Sequence, residues 1–463
     1  MPENYVLLER TELNASAASV TFANIPQTGY TDLKIVSSVR SSAAAASNAI
    51  GLYAKFNGIT TGYSWRRLNN NSGTVSSDNN GADSAILIGA CNGGSDTANT
   101  FTSSESYIPN FLGTAAKSIS SDSTAENNSA VESQMLTAGL WSYSGNPAIT
   151  SVTLNPSSGS FAAGSTFSLY GIAALGTTPA IAPKAYGGNV IATDGTYWYH
   201  AFLSSGSFVP QVGLTADCLV IAGGGGAGAG GGGAGGLVYN SATALANATN
   251  YSVTIGAGGT GGVNNSAQAT NGVNSNITGG VLSLTAAVGG GKGGTGNRPV
   301  TNYDGGSGGG SNRQIDAAGV ATSGQGSNGG IGFTDNASFD NGGGGGGFSV
   351  AGSAASFGAC GAGGNGVSTY SSWGSATSTG QNVSGTYWYA GGGSGGTNLS
   401  KTVFAGGNGG GGAGAITGTG GSGTANTGGG GGGTNTGGAG GSGIVIIRYP
   451  IAKRKIKCHI GQR

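Results

Sequence analysis

Charge is what this chain has least of. Only 8% of its 463 residues are Asp, Glu, Lys or Arg, and 18 basic side chains against 17 acidic ones leave a formal net charge of +1. A phosphate-binding surface needs a clustered cationic excess. The one cluster is Lys453-Arg454-Lys455-Ile456-Lys457, read as a frayed cationic end or a strap onto a neighbouring subunit, so no nucleic-acid partner is expected. The four cysteines, Cys91, Cys218, Cys360 and Cys458, lie far apart with no CxxC pair. That spacing supports neither a disulfide framework nor a zinc site, and the thiols read as buried or incidental. Ten prolines are too few for collagen's repeat. No unbroken apolar run approaches ~20 residues, so no membrane insertion is expected. Met1–Arg10 lacks a basic n-region and a long apolar stretch, and is not read as a secretion signal.

Catalytic chemistry is equally sparse. Of the two histidines, His200 sits in Tyr197-Trp-Tyr-His200 and reads as a packed or surface strand residue; His459 lies in the terminal tail. Neither has the neighbouring carboxylates or Cys that a nucleophile or metal site requires. Gly290-Gly-Lys292 lacks the Ser/Thr and spacing of a phosphate loop. Arg66-Arg67 beside Trp65 would suit an acidic sugar, but a solvated strand edge is the preferred reading. No enzyme activity, cofactor or metal is expected.

What is present is glycine, 100 residues of it, about three times the usual ~7%. An all-β fold is expected. Residues 1–176 alternate with the strand period of two: Leu33, Ile35 and Val39 share a face, as do Ile50, Leu52, Ala54 and Phe56, and Phe167 and Leu169 oppose Tyr170 and Ile172. Turn-formers such as Asn57-Gly58 and Asn79-Asn80-Gly81 separate these runs. The pattern predicts a β-sandwich or jelly roll, with Ser133–Leu140 as a weak helix candidate. Residues 177–213 read as an extended linker, Thr178–Lys184, followed by a small hairpin turning at Asp194-Gly195.

Residues 214–448 open on the apolar strand Leu219-Val-Ile-Ala222 and close on Ile444-Val-Ile-Ile447, before a tail at 449–463. Between them lie glycine runs, among them Gly223–Gly236, Gly289–Gly296, Gly342–Gly347, Gly391–Gly396 and Gly428–Gly433. From Leu214 to Gly443 there are nine charged side chains. A flexible linker would explain the glycine, since glycine loses most entropy on ordering. Packed polyglycine II helices explain more. That extended helix has three residues per turn, ~3.1 Å rise and no internal hydrogen bonds. Without Cβ atoms, neighbouring backbones approach closely enough to pair with one another. Short runs of similar length, separated by variable segments and bracketed by two strands, fit a bundle of this kind.

The segments Asp217-Cys-Leu-Val-Ile-Ala-Gly-Gly-Gly-Gly226, Gly-Gly-Ala-Gly-Gly-Leu-Val-Tyr239, Tyr251-Ser-Val-Thr-Ile-Gly-Ala-Gly-Gly259 and Gly440-Gly-Ser-Gly-Ile-Val-Ile-Ile-Arg-Tyr449 together resemble the glycine-rich domains of bacteriophage tail and fibre proteins. The resemblance covers about half the chain. It implies a virion protein, assembled in the host cytoplasm, that contacts other tail or capsid proteins and recognises a bacterial surface protein or polysaccharide through loops of the glycine-rich domain. It also implies a homotrimer, in keeping with the few charges of residues 1–176. Residues 1–176 would attach to the virion. A capsid-attached head fibre or decoration protein is the alternative reading, and a polysaccharide-cleaving tail spike the second.

Glycine runs have no side chains with which to discriminate ligands, so recognition is expected on what interrupts them. Tyr and Trp give large contact area at small entropic cost. The receptor-binding candidates are Tyr303, Phe333, Phe339, Tyr370, Trp373, Tyr387, Trp388 and Tyr389, in the interruptions Arg298–Asp340 and Val367–Tyr389. Phe348 and Phe357 are further loop aromatics, and the alternative role for any of these rings is to cover the flanks of the array.

Overall fold

Alternation of inward apolar or small residues with outward polar ones, repeated over segments of five to ten residues, leaves the first third of the chain little choice but sheet. A computed structural model describes residues 5–46, 50–71, 73–125, 133–173, 182–263, 266–296, 302–312, 317–335, 339–397 and 402–451, without the side chains of 335, 339 and 340. The linker expected at Thr178–Lys184 falls mostly outside these residues, as does the basic tail with Cys458 and His459.

The strands of the first part are β1 (Tyr5–Glu12), β2 (Val20–Phe22), β3 (Asp32–Val39), β4 (Gly51–Phe56), β5 (Tyr63–Asn71), β6 (Thr74–Asp83), β7 (Ile86–Ala90), β8 (Thr102–Ile108), β9 (Lys117–Ala125), β10 (Ser133–Trp141), β11 (Val152–Pro156) and β12 (Thr166–Ile172). Next come β13 (Ala185–Tyr186), β14 (Val190–Thr193), β15 (Tyr197–Phe202), β16 (Gly206–Pro210), β17 (Leu214–Ile221), β18 (Leu237–Leu245), β19 (Tyr251–Thr254), β20 (Asn276–Gly279) and β21 (Leu282–Ser283). The rest are β22 (Phe333–Asp335), β23 (Phe339–Asn341), α1 (Ser371–Thr377), β24 (Gln381–Val383), β25 (Thr386–Trp388) and β26 (Ile444–Pro450). The chain is thus almost entirely β. It divides into two units: Met1–Pro183 with Asn189–Trp198 and Pro450–Arg463, and Lys184–Gly188 with Tyr199–Tyr449.

The first unit is an antiparallel sandwich. One sheet runs β14-β1-β12-β3-β8-β9-β10-β5-β6 and the other β2-β11-β4-β7. Their inner faces supply the core, with Phe22, Leu33, Leu52, Phe56, Phe161 and Phe167 fully buried. The faces read from the sequence hold: Leu33, Ile35 and Val39 are buried together, and so are Ile50, Leu52, Ala54 and Phe56. Five inner positions of β8 and β9 are instead Ser or Thr: Thr102, Ser104, Ser106, Ser121 and Ser123. They bond one another, as in Ser121 Oγ to Ser106 Oγ at 2.8 Å, or bond the β7 backbone, as in Ser104 Oγ to the Ile88 carbonyl at 3.2 Å. Small hydroxyl side chains are what allow β7 close to this sheet, where a Cβ on Gly89 would already crowd Ser104 and Ser123.

The helix candidate at Ser133–Leu140 is not a helix. It is β10, paired over its whole length with β9 and with β5. Two ladders of long-range bonds override its weak local preference. Asp194-Gly195 does turn a hairpin: the Asp194 carboxylate accepts from the Thr196 and Tyr197 amides at 2.8 Å. The hairpin is not free-standing, because β14 joins the sandwich sheet through β1.

The second unit carries a sheet ordered β18-β17-β26-β15 and another ordered β13-β16-β19-β20-β21. The two bracketing strands pair directly, from Cys218 opposite Ile447 to Ile221 opposite Ile444. Their consecutive residues Leu219–Ile221 and Ile444–Ile447 are all buried, as befits strands covered on both faces. The glycine runs extend from this sheet.

Candidate recognition surface on the glycine-rich unit

The runs are polyglycine II helices, and their period of three is visible in the backbone bonds. Gly230, Gly233 and Gly236 donate to the carbonyls of Gly294, Gly291 and Val288. Gly231 and Ala234 donate to Gly343 and Gly346, while Gly232 and Gly235 donate to Gly431 and Gly428. All seven bonds measure 2.8–3.0 Å. The Gly223–Gly236 run bends at 228–230 into two helices, and the second accepts from three more neighbours, through Gly310, Gly393 and, from the first, Gly225. One helix therefore bonds six others, and its buried backbone groups are paired without a side-chain core. Small side chains enter it readily: Ala227, Ala234, Ser307, Ser311 and Ser394 are all fully buried. Ser394 Oγ donates to a neighbouring run, at the Gly361 carbonyl (3.2 Å).

The register of these bonds gives the array two ends. The base carries the sheet: Ala222 donates to Gly236, Gly235 to Gly428, and Gly443 to Gly256. At the opposite end, the tip, Gly396 donates to Ala229, Gly342 to Gly396 and Thr434 to Gly228.

At the base, His200 is fully buried. Its Nδ1–H donates to the Gly187 carbonyl at 2.6 Å, so Nε2 must accept from the Tyr449 hydroxyl at 2.9 Å. Burial pushes the imidazole down to about 4, against an unfolded value near ~6.5. The strand residue expected from the sequence is thus a packed one. The unfolded chain binds a proton at His200 that the folded chain refuses. Stability is therefore full above pH ~6.5 and falls as pH drops towards 4, with a loss of about 2 kcal/mol between pH 7.5 and pH 5. Urea unfolding at those two pH values measures it, and His200→Gln should flatten the difference.

The aromatic candidates separate between the two ends. Val367–Tyr389 is a base segment. It contains α1, which seven residues without apolar periodicity do not announce. Ser378 closes this short helix in the left-handed region at φ 52°. Trp373 on α1 is buried, with Tyr199, Tyr239 and Tyr370 against it at ring-centroid distances of 5.7–6.1 Å. The Arg448 guanidinium lies 4.4 Å from its ring centroid and pairs with Asp217 at 3.0 Å. Tyr389 is also buried, its hydroxyl 2.8 Å from Thr379 Oγ1, which in turn is 2.7 Å from Thr377 Oγ1. Burial pushes the Tyr389 phenol well above its usual value. Tyr370, Tyr387 and Trp388 are half-buried. Tyr303 is buried inside the array, its carbonyl accepting from Gly309 at 2.8 Å.

The remaining two candidates belong to the tip. Phe333 and Phe339 lie on the β22–β23 hairpin; Phe333 is half-buried and the Phe339 side chain is outside the described atoms. Asn341, closing the hairpin, donates from Nδ2 to the Ser356 carbonyl at 2.7 Å. That ties the hairpin to the turn bearing Phe357, and Thr402 bonds the carbonyl of Gly358 at 3.2 Å. Phe404 follows two residues later. Ile331, whose carbonyl holds Ala355 at 2.8 Å, completes the group. Phe357, Ile331 and Phe404 are 59%, 45% and 39% exposed. Backbone and side-chain bonds join the tip segments that carry these three exposed side chains. Phe357 is among the loop aromatics read from the sequence; Ile331 and Phe404 were not singled out there, although each adjoins a glycine run, and that position is the signal that finds them.

Neither the comparison with curated proteins nor that with solved structures gave a match. A family model described as a glycine-rich domain matches residues 203–450, which takes in the array, its tip and strands β17, β18 and β26 of its base sheet. More than half of the sequence lies within that match, and the chain belongs to this glycine-rich domain family.

Proposed function

We propose that this chain is a receptor-binding subunit of a phage tail fibre, and that it recognises the bacterial surface through the tip of the glycine array. The observation that carries this reading is the three-period backbone lattice. It holds the runs together with bonds that no side chain makes, so the connections at the tip are free to vary without loss of the scaffold. Rigid scaffolds presenting variable loops are a standard binding arrangement. Large exposed apolar side chains grouped on such loops are the usual sign of a binding surface. On this reading the sandwich unit attaches to other virion proteins, the assembled fibre is a homotrimer, and the chain performs no chemical step.

The test is adsorption of fluorescently labelled protein to a panel of bacterial strains. Saturable binding to a subset is expected. Replacing Ile331, Phe357 and Phe404 together by Ala should weaken that binding at least ~10-fold, as at other interface anchors, with little change in thermal stability. Adsorption to no strain, or equal adsorption by the triple variant, would refute the reading.

A further inference from the structure

The sandwich unit carries a cleft with hydroxyl and carboxylate side chains in its wall that virion attachment does not call for. It has a volume of about 550 Å³ and is walled by Thr60, Thr61, Ser64, Asp83, Ser84 and Ser142. That lies within the ~300–1,000 Å³ range of small-molecule sites. A β-bulge opens it: between the pairs Tyr63–Asp83 and Trp65–Asn80, Gly81 and Ala82 on β6 stand opposite Ser64 alone on β5. Bulges of this kind gather beside functional sites, where they re-aim side chains. The residue that follows the bulge is Asp83, in register opposite Tyr63. Its Oδ2 accepts from the Trp65 indole N–H at 2.8 Å and its Oδ1 from the Ser84 amide at 2.6 Å. The carboxylate is thereby fixed, with further lone pairs on both oxygens. The rim is fixed as well. The Ser142 amide donates to the Gly62 carbonyl at 2.8 Å, and the Trp141 indole donates to that of Thr61 at 3.3 Å.

Beside Ser142 stands Tyr143, 38% exposed. Its ring lies 6.0 Å from Trp141 at an interplanar angle of 9°, and Trp141 lies 6.0 Å from buried Tyr63 at 18°. Three stacked rings thus run from the core to Tyr143, the chain neighbour of the lining residue Ser142, and the outermost is held flat by the other two.

We infer that this cleft binds a neutral hexopyranose unit of a glycan. Hydroxyl and carboxylate walls pair with a polyol, whereas an apolar ligand would strand them without partners. An anionic ligand would meet Asp83 with no Lys or Arg among the lining residues to balance it. A single carboxylate is too few ligands for a calcium site. Vicinal sugar hydroxyls donate to the two Asp83 oxygens, the Thr and Ser hydroxyls take the others, and the C–H face of the ring rests on Tyr143. The site belongs to the sandwich unit and does not depend on recognition at the array tip.

Saturation-transfer NMR on the full chain tests it. The probes are the methyl glycosides of glucose, galactose, mannose and N-acetylglucosamine, with N-acetylneuraminic acid as the anionic control. At least one neutral probe should half-saturate at ~1–10 mM, and the control should show no transfer. Asp83→Asn and Tyr143→Ala should each raise the half-saturation point at least ~10-fold. Gly81→Trp should abolish binding by filling the cleft; a Cβ at Gly81 meets nothing within 4 Å, so the fold is spared. Unchanged thermal transitions verify that the variants fold. The inference is overturned if no neutral probe shows transfer, if the acidic sugar binds best, or if the three folded variants bind like the parent.

Discussion

Gly393→Ala is expected to cost at least ~3 kcal/mol of stability, although it adds one methyl group. A Cβ at that position would overlap the carbonyl of Gly431 on an adjacent run. Relief requires the two runs to separate. Gly393 also donates to Gly232 and accepts from Gly345, both at 2.9 Å, so separation lengthens bonds to further runs. Overpacking costs ~1–3 kcal/mol, and each buried group left unpaired adds about as much. The smaller unfolded-state gain from replacing glycine, ~0.4–1 kcal/mol, does not offset this. Gly232→Ala should behave alike, since its Cβ would meet the carbonyl of Gly225. Gly358→Ala is the control. Nothing lies within 4 Å of a Cβ there, and the change should fall within ~0.5 kcal/mol. Thermal unfolding of the three variants decides the matter. Equal stability would mean that the array is not held by close backbone pairing.

Trp373→Ala is expected to cost ~3–5 kcal/mol, the usual penalty for removing a buried Trp, and to leave adsorption of the folded protein intact. The ring packs against Tyr199, Tyr239 and Tyr370 and carries the Arg448 guanidinium on its face. Its loss leaves a cavity at the base and removes a partly desolvated cation–π contact. The expected result is the mirror image of the tip variant: stability falls and binding holds, measured by urea unfolding and by adsorption at a temperature where the variant stays folded. If Trp373→Ala abolished adsorption at unchanged stability, recognition would lie at the base.

How much of this was legible in the sequence depends on whether side chains wrote it. In the sandwich they did. The alternation Leu33-Ile35-Val39 and Ile50-Leu52-Ala54-Phe56 fixes strand and face together, because a one-residue slip would turn a whole apolar set to solvent. The glycine runs of similar length and the apolar brackets at Leu219 and Ile444 were equally legible. Together they are enough for an all-β chain with a packed glycine array. Sequence reasoning did not distinguish β10 from a helix, because only the ladders to β9 and β5 decide it.

Tertiary structure alone decided which loop lies at which end. Val367–Tyr389 and Phe333–Phe339 read alike in sequence, as aromatic segments between glycine runs. One packs against the base sheet around Trp373, and the other forms a hairpin at the tip beside Phe357. The reason is physical. Every glycine presents the same N–H and C=O, so no side-chain pattern records which run pairs with which, or in which direction. The lattice is fixed only when all six neighbours of a run are in place, and with it the fate of each aromatic residue between the runs.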